Sequence, residues 1–95
     1  MIDVTILYPK AEGSTFDIDY YATKHMPMFA EALGEACVRW GVSGEAGDYH
    51  AIGWARVASQ DAFNAAMAAS GAEIIGDVPN YTSIQPTLLV SDVVV

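Results

Sequence analysis

The chain has little positive charge and a single cysteine. Among its 95 residues, four are Lys or Arg and twelve are Asp or Glu, which gives a formal net charge of −8. A chain of that charge repels phosphate backbones and anionic lipid surfaces, so we expect no binding to nucleic acid or to membranes. The lone Cys37 cannot form an internal disulfide. The two histidines show no HExxH spacing and there is no CxxC, so no metal site is predicted.

Leader segments, long apolar runs and nucleotide motifs are absent as well. There is no signal peptide and no apolar run of about 18 residues, and the expected location is therefore the cytoplasm. No GxGxxG and no P-loop occurs, so the sequence shows no source of hydride. The chain is nevertheless rich in apolar residues, because 53% are hydrophobic and only 17% are charged. That excess predicts a surface that another molecule covers.

The predicted elements follow the order β-α-β-β-α-β. One helix is expected to begin near Ile18, and the other after Ser59 with its end at Gly71. This order is typical of a ferredoxin-like α+β sandwich, a single domain over residues 1–95 with both helices on one face of an antiparallel sheet. The strands are expected at Ile2 to Tyr8, 36–43, 49–57 and 83–93.

The open face of this sheet is expected to be apolar. The predicted strands lack a clean polar side, although two helices cover only one face. Burying such a face would be worth on the order of 12 kcal/mol before association costs. The sequence therefore predicts a homodimer whose open sheet faces pack together around an interior space. Trp40 and Trp54, on neighbouring strands, either line that space or are core or dimer-interface residues.

The segment FDIDYYATKHMP, residues 16–27, concentrates the candidate chemistry. Helical spacing places His25 on the apolar, inward face of the first helix. Pro27 lacks a backbone N–H, which predicts a kink or break near residues 23–27 with Met26 outside helical angles. His25 is then either a core histidine bonded to backbone or a group presented to a cavity as acid, base or ligand.

Three segments resemble the EthD family of small proteins: VTILYP at residues 4–9, the segment at 16–27, and GDVPNYTSIQP at 76–86. The resemblance covers nearly the whole chain. It implies a dimeric α+β barrel, in which the sheets of two ferredoxin-like chains enclose an interior space. It also implies a role in catabolism, because the family is named for a component of fuel-ether degradation and its members are often labelled reductases.

The resemblance also marks residues that could form a site. We expect His25 to move a proton and Tyr21 or Tyr20 to polarise a ligand oxygen. Simpler interpretations stay open: Asp17 is a helix N-cap, and Asn80 with Tyr81 forms a turn. The expected ligand contacts are Asp17, Trp40, Trp54, Asn80 and Tyr81.

Three functions are compatible with these features. The first is an enzyme that acts on a hydrophobic small molecule in the barrel interior, of oxidoreductase, monooxygenase-like, isomerase-like or cyclase-like type, with no cofactor identified. The second is a non-catalytic protein that carries such a ligand for an oxygenase, with haem bound through His25 as a variant. The third is a structural protein that presents an acidic surface.

Overall fold

Four antiparallel strands and three helices form two layers in the computed structural model, which describes all 95 residues. The strands lie side by side in the order β2-β3-β1-β4, and the α+β ferredoxin-like order is confirmed. No helix is long and apolar enough to cross a membrane. The strands are β1 (Ile2–Pro9), β2 (Cys37–Ser43), β3 (Tyr49–Val57) and β4 (Thr87–Asp92). The helices are α1 (Ile18–Tyr20), α2 (Met26–Leu33) and α3 (Gln60–Asp77), with a π turn at Tyr21–His25 and 3-10 turns at Gly34–Ala36 and Val78–Asn80.

The pairing of β1 with β3 decides which side chains face the helices. Val4 pairs with Ala55 and Tyr8 pairs with Ala51, and all four residues are buried beneath the helices. Side chains alternate between the two faces of a strand, so the residues between them lie on the open face. The hydrophobic core therefore fills the layer between the helices and one side of the sheet.

The open face is less apolar than the sequence predicted. Its apolar side chains, by the strand register, are Leu7, Ile52, Trp54 and Leu89. Beside them, two of the guanidinium nitrogens of Arg56, Nε and Nη2, donate to the carboxylate of Asp3 at 2.8 and 3.0 Å. This face thus combines an apolar surface with an ion pair.

The two tryptophans lie on opposite faces of the sheet. Trp40 pairs with Ala55, on the face that the helices cover, whereas Trp54 pairs with Gly41 on the open face. The indole of Trp54 lies over Gly41, where an added Cβ would come within 2.6 Å of the ring. In a single chain the two tryptophans therefore do not line one common space, and Trp54 alone lies on the open face.

Pro27 does not break the first helical region, so the predicted break and the non-helical angles of Met26 are wrong, although regular α-helix is interrupted just before Pro27. The chain widens into the π turn at Tyr21–His25, in which the N–H of Met26 bonds to the carbonyl of Tyr21. Met26 keeps helical angles, with φ −66° and ψ −38°. The wider turn accommodates the missing N–H of Pro27, as π bulges do inside otherwise regular helices.

The last helix is longer than predicted. Ser59 caps it as expected, because its Oγ accepts from the N–H of Ala62 at 3.1 Å. Gly71 does not end the helix, which continues to Asp77. A glycine that ends a helix adopts positive φ, as Gly34 does after α2 with φ 59°, whereas Gly71 has no positive φ. The additional turns carry Asp77 to the first helical region.

Candidate functional site

One carboxylate, that of Asp77, gathers three side chains from two distant parts of the sequence. Its Oδ2 lies 2.8 Å from Nδ1 of His25. Its Oδ1 accepts from the hydroxyl of Tyr20 at 2.7 Å and from the side-chain amide of Asn80 at 3.0 Å. The π turn supplies His25, and the turn after α3 supplies Asn80. The unbroken helix therefore builds the site that a helix ending at Gly71 would have lost.

The hydrogen bonds to Asp77 decide its charge. Its side chain is only 16% exposed, and this burial by itself would raise the pKa of the carboxyl. The bonds from Asn80, Tyr20 and His25 outweigh burial and hold that pKa below its ordinary value of 3.8. The ionised carboxylate accepts from Nδ1, which places the proton of a neutral imidazole on Nδ1 and leaves Nε2 as an acceptor.

His25 lines an apolar cavity of about 450 Å³ between the helices and the sheet. The residue is 3% exposed, and its Nε2 has no hydrogen-bond partner within the chain. Among fully buried polar side-chain atoms, only the hydroxyl of Tyr21 lacks a hydrogen-bond partner. Because Nε2 of His25 also lacks a partner, it is not one of the fully buried atoms and is accessible from the cavity side or from solvent. The cavity is lined by Ile6, Tyr8, His25, Phe29, Phe63, Met67, Gly71, Ala72, Ile74, Ile75, Val78, Pro86 and Leu88. Among these, only His25 and Tyr8 carry polar side-chain atoms.

Tyr8 also lines the cavity, and its hydroxyl belongs to a buried pair. Its hydroxyl lies 2.6 Å from that of Tyr81, and both residues are buried. Burial raises the pKa of each phenol, so both stay protonated. Two bonded hydroxyls place one proton between them and leave the other free for a third acceptor. When Tyr81 donates to Tyr8, the hydroxyl proton of Tyr8 is not used in this bond.

Tyr21 holds the imidazole ring without lining the cavity. Its ring stacks on that of His25, with centroids 5.6 Å apart and planes at 17°. The residue is fully buried, and its unpartnered hydroxyl is packed against Gly53. Burial raises the pKa of this phenol. The hydroxyls of Tyr20 and Tyr21 both point away from the cavity, the first to Asp77 and the second to the sheet.

The structure brings together five of the eight residues that the sequence marked, namely Tyr20, Tyr21, His25, Asn80 and Tyr81. The remaining three lie elsewhere. Asp17 is the N-cap of α1, because its carboxylate accepts from the N–H of Tyr20 at 3.1 Å. Trp40 is on the edge strand β2, and Trp54 is on the open face.

The cavity lies on the helix-covered side of the sheet. His25 projects from the helical layer, so the sheet separates it from the open face on which Trp54 lies. The prediction that His25 acts in a space enclosed by two open sheet faces is therefore wrong.

Sequence reasoning missed Asp77 and Tyr8. A carboxylate at a helix C-terminus is disfavoured by the helix dipole and needs compensating donors, but this signal for Asp77 was hidden because the helix was predicted to end at Gly71. Tyr8 shares the inward phase of β1 with Val4, but nothing in the pattern pairs it with Tyr81, which is 73 positions away. No three His, Cys, Asp or Glu side chains come together to hold a metal ion.

The comparisons with known proteins find structural relatives. No family model matches the chain, and no curated protein does. An EthD-like protein of Ralstonia eutropha JMP134 shares 42% identity over 99% of this chain and 92% of its own, with a TM-score of 0.89. An ethyl tert-butyl ether D family protein of Bacillus halodurans C-125 has 16% identity over 99% of both chains and a TM-score of 0.66. A variant of SnoaB, a cofactor-independent oxygenase of Streptomyces nogalater, has 15% identity over 93% of this chain and 88% of its own, with a TM-score of 0.60.

Proposed function

The chain belongs to the EthD family, and we propose that it is a small-molecule enzyme whose cavity binds an uncharged apolar molecule and whose His25 transfers a proton. One observation carries the proposal: a single imidazole, anchored through Nδ1 to Asp77, lines an otherwise apolar cavity. No Lys or Arg lines that cavity, and a buried charge without a partner is costly. An uncharged ligand fits it better than an anion.

The proposed chemistry begins with removal of a proton from a C–H or O–H group of the ligand. Nε2 of His25 takes the proton, and the bonding electron pair stays on the ligand as an enolate or phenolate. Asp77 stabilises the imidazolium that forms, and the apolar lining keeps water from competing. A positioned general base of this kind contributes about 10²–10⁴-fold to a rate. Tyr8 donates a hydrogen bond to the ligand oxygen that gains charge.

Such a step is common to the reaction types that the sequence suggested. An enolate reprotonated at another carbon is isomerised, one that attacks a carbonyl within the molecule is cyclised, and one that reacts with molecular oxygen is oxygenated. A cofactor-independent oxygenase shares the fold, which is compatible with the last of these. Oxidoreductase, monooxygenase-like, isomerase-like and cyclase-like activities all remain within the proposal.

A second candidate is the non-catalytic carrier of an apolar ligand for an oxygenase. The scarcity of polar groups in the cavity favours it, because only His25 and Tyr8 could take part in chemistry. A carrier needs the cavity and the ligand but no proton transfer. The two candidates therefore differ in what replacement of His25 does to turnover.

We also propose that the chain works in the cytoplasm as a homodimer joined through the open sheet face. The apolar side chains of that face, Leu7, Ile52, Trp54 and Leu89, support the second point. Contact between two such faces removes them from water without covering the cavity, which is on the opposite side of the sheet.

An uncharged carbon acid tests for the base without knowledge of the natural substrate. 5-Nitrobenzisoxazole loses its ring C–H proton to a base as its N–O bond breaks, which releases a coloured nitrile phenolate. We expect the protein to accelerate this elimination above the buffer rate, and His25→Ala to lose about a hundredfold of the acceleration. His50→Ala is the matched control, because His50 bonds to Ser14 outside the cavity. A His25→Ala protein that binds the probe and eliminates at the wild-type rate contradicts the proposed role.

A further inference from the structure

Gly71 occupies the middle of the α3 face that lines the cavity. Residues three or four positions apart share one side of a helix. A side chain at position 71 would therefore project in the same direction as those of Met67 and Ile74, toward the cavity. Gly71 is buried and contributes no side chain to the wall. The α3 residues that line the cavity are Phe63, Met67, Gly71, Ala72, Ile74 and Ile75.

The fold itself does not need a glycine at this position. Gly71 has no positive φ, so its backbone accommodates any residue type except proline. A Cβ built there would meet only the Cβ of Met67, at 3.8 Å, which is an ordinary van der Waals contact. Glycine inside a helix is moreover less favourable than alanine. The residue thus lowers the stability of α3 without relieving any clash.

Other glycines show what a structural requirement looks like. Gly34 has φ 59° where α2 ends, and a Cβ on Gly53 would collide with the hydroxyl of Tyr21. Gly71 has neither reason. What distinguishes it is the cavity in front of it, which would become narrower with any side chain there.

We propose that Gly71 is a specificity-determining residue: its missing side chain leaves the room beside α3 that the apolar body of an uncharged ligand occupies. The inference rests on the proposed function in taking this cavity as the ligand site. The inference adds that the residue at position 71 of α3, away from His25, limits the size of the ligand that the cavity accepts. The affinity for small ligands that lie near the imidazole therefore does not depend on the residue at position 71, whereas the affinity for longer ligands does.

Gly71→Ala tests this with two uncharged probes, naphthalene and N-phenyl-1-naphthylamine, which share one ring system and differ by an anilino group. Binding is followed by the NMR shifts of the Met67 and Ile74 methyl groups, and stability by thermal unfolding. We expect the variant to bind N-phenyl-1-naphthylamine about tenfold or more weakly, since one methyl group in a pocket changes affinity by that order. We expect naphthalene affinity to change by less than about twofold and the Tm to rise by about 4 °C. Gly76→Ala, in an exposed part of the same helix with open space around it, is the control that gains stability without losing either probe.

Three results overturn the inference. If Gly71→Ala binds both probes as the wild type does, position 71 does not limit ligand size, while the cavity and the proposed function stand. If Gly71→Ala unfolds at a lower temperature than the wild type, the glycine serves the fold. If the wild-type protein binds neither probe, the cavity is not a ligand site, and the proposed function fails together with the inference.

Discussion

Asp77 and His25 are fifty-two positions apart in the sequence, and their side chains meet at 2.8 Å. Asp77 is the last residue of α3, where the helix dipole disfavours a negative charge. The hydrogen bonds from His25, Tyr20 and Asn80 compensate that cost. The contact fixes the orientation of the imidazole and joins the two helical regions above the cavity.

Replacement of the carboxylate should weaken both the fold and the base. In Asp77→Asn the charge-assisted bonds become neutral ones, and we expect a loss of about 2 kcal/mol in the free energy of unfolding. We also expect the 5-nitrobenzisoxazole elimination rate to fall by about tenfold or more, because the Nδ1–H tautomer is no longer enforced. Urea unfolding and the rate assay measure the two effects. The control Asn80→Ala, which removes one donor and keeps the charge, should lose only about 1 kcal/mol and little rate. Equal effects of the two variants would contradict the assignment.

Because the pKa of Asp77 is lowered in the folded protein, its contribution to the free energy of unfolding depends on pH. The folded protein holds this carboxyl ionised to a lower pH than the unfolded chain does, so folding releases a proton in the interval between the two pKa values. The stabilisation is therefore complete above the ordinary value of 3.8 and is lost as the pH falls through the folded pKa. Urea unfolding should give a constant difference between wild type and Asp77→Asn above about pH 5, and a shrinking one toward about pH 2. A difference that widens in acid would show the opposite sign.

The buried hydroxyl of Tyr21 contributes nothing favourable that the structure shows. It has no partner, so Tyr21→Phe should be neutral or stabilising by up to about 1 kcal/mol. Gly53→Ala places a methyl group against that hydroxyl and should cost about 2 kcal/mol. The double variant should recover part of this cost, because the oxygen that clashes is gone. A Tyr21→Phe protein that is destabilised by more than about 1 kcal/mol, or that stops turning over the probe, would show that the hydroxyl has a partner or a role after all.

The open face can be tested through its tryptophan. If two chains pack through this face, Trp54→Asp places a charge in the interface, and sedimentation should show a change from dimer to monomer at micromolar concentration. The substitution also removes the packing of the indole over Gly41, so thermal unfolding must show that the variant is still folded. Trp40→Asp is the matched control, because Trp40 lies on the other side of the sheet and should leave the dimer intact. A wild-type protein that sediments as a monomer would contradict the homodimer.

Local signals in the sequence predicted much of the fold. The caps at Asp17 and Ser59 depend on one side chain and a backbone N–H two or three residues on, so they can be read directly. The inward position of His25 follows from helical spacing. These features need no knowledge of the rest of the chain.

Other features depend on distant contacts and could not be read in that way. The hydrogen bonds of Asp77 and Tyr8 join residues from opposite ends of the chain. Glycine and proline often end helices, but the helical regions continue past Gly71 and Pro27. Packing of both helices on the sheet outweighs this local preference. Strand register decides which side chains face the helices and therefore on which side of the sheet the cavity lies. Alternation of residues along each strand does not by itself determine that side.

We propose that ligands bind beneath the helices, beside His25. Intermolecular nuclear Overhauser effects from N-phenyl-1-naphthylamine to methyl-labelled protein test it directly. We expect contacts to the methyl groups of Met67 and Ile74, which line the cavity. Contacts confined to Leu7 and Ile52 would instead place the ligand on the open sheet face and contradict the account.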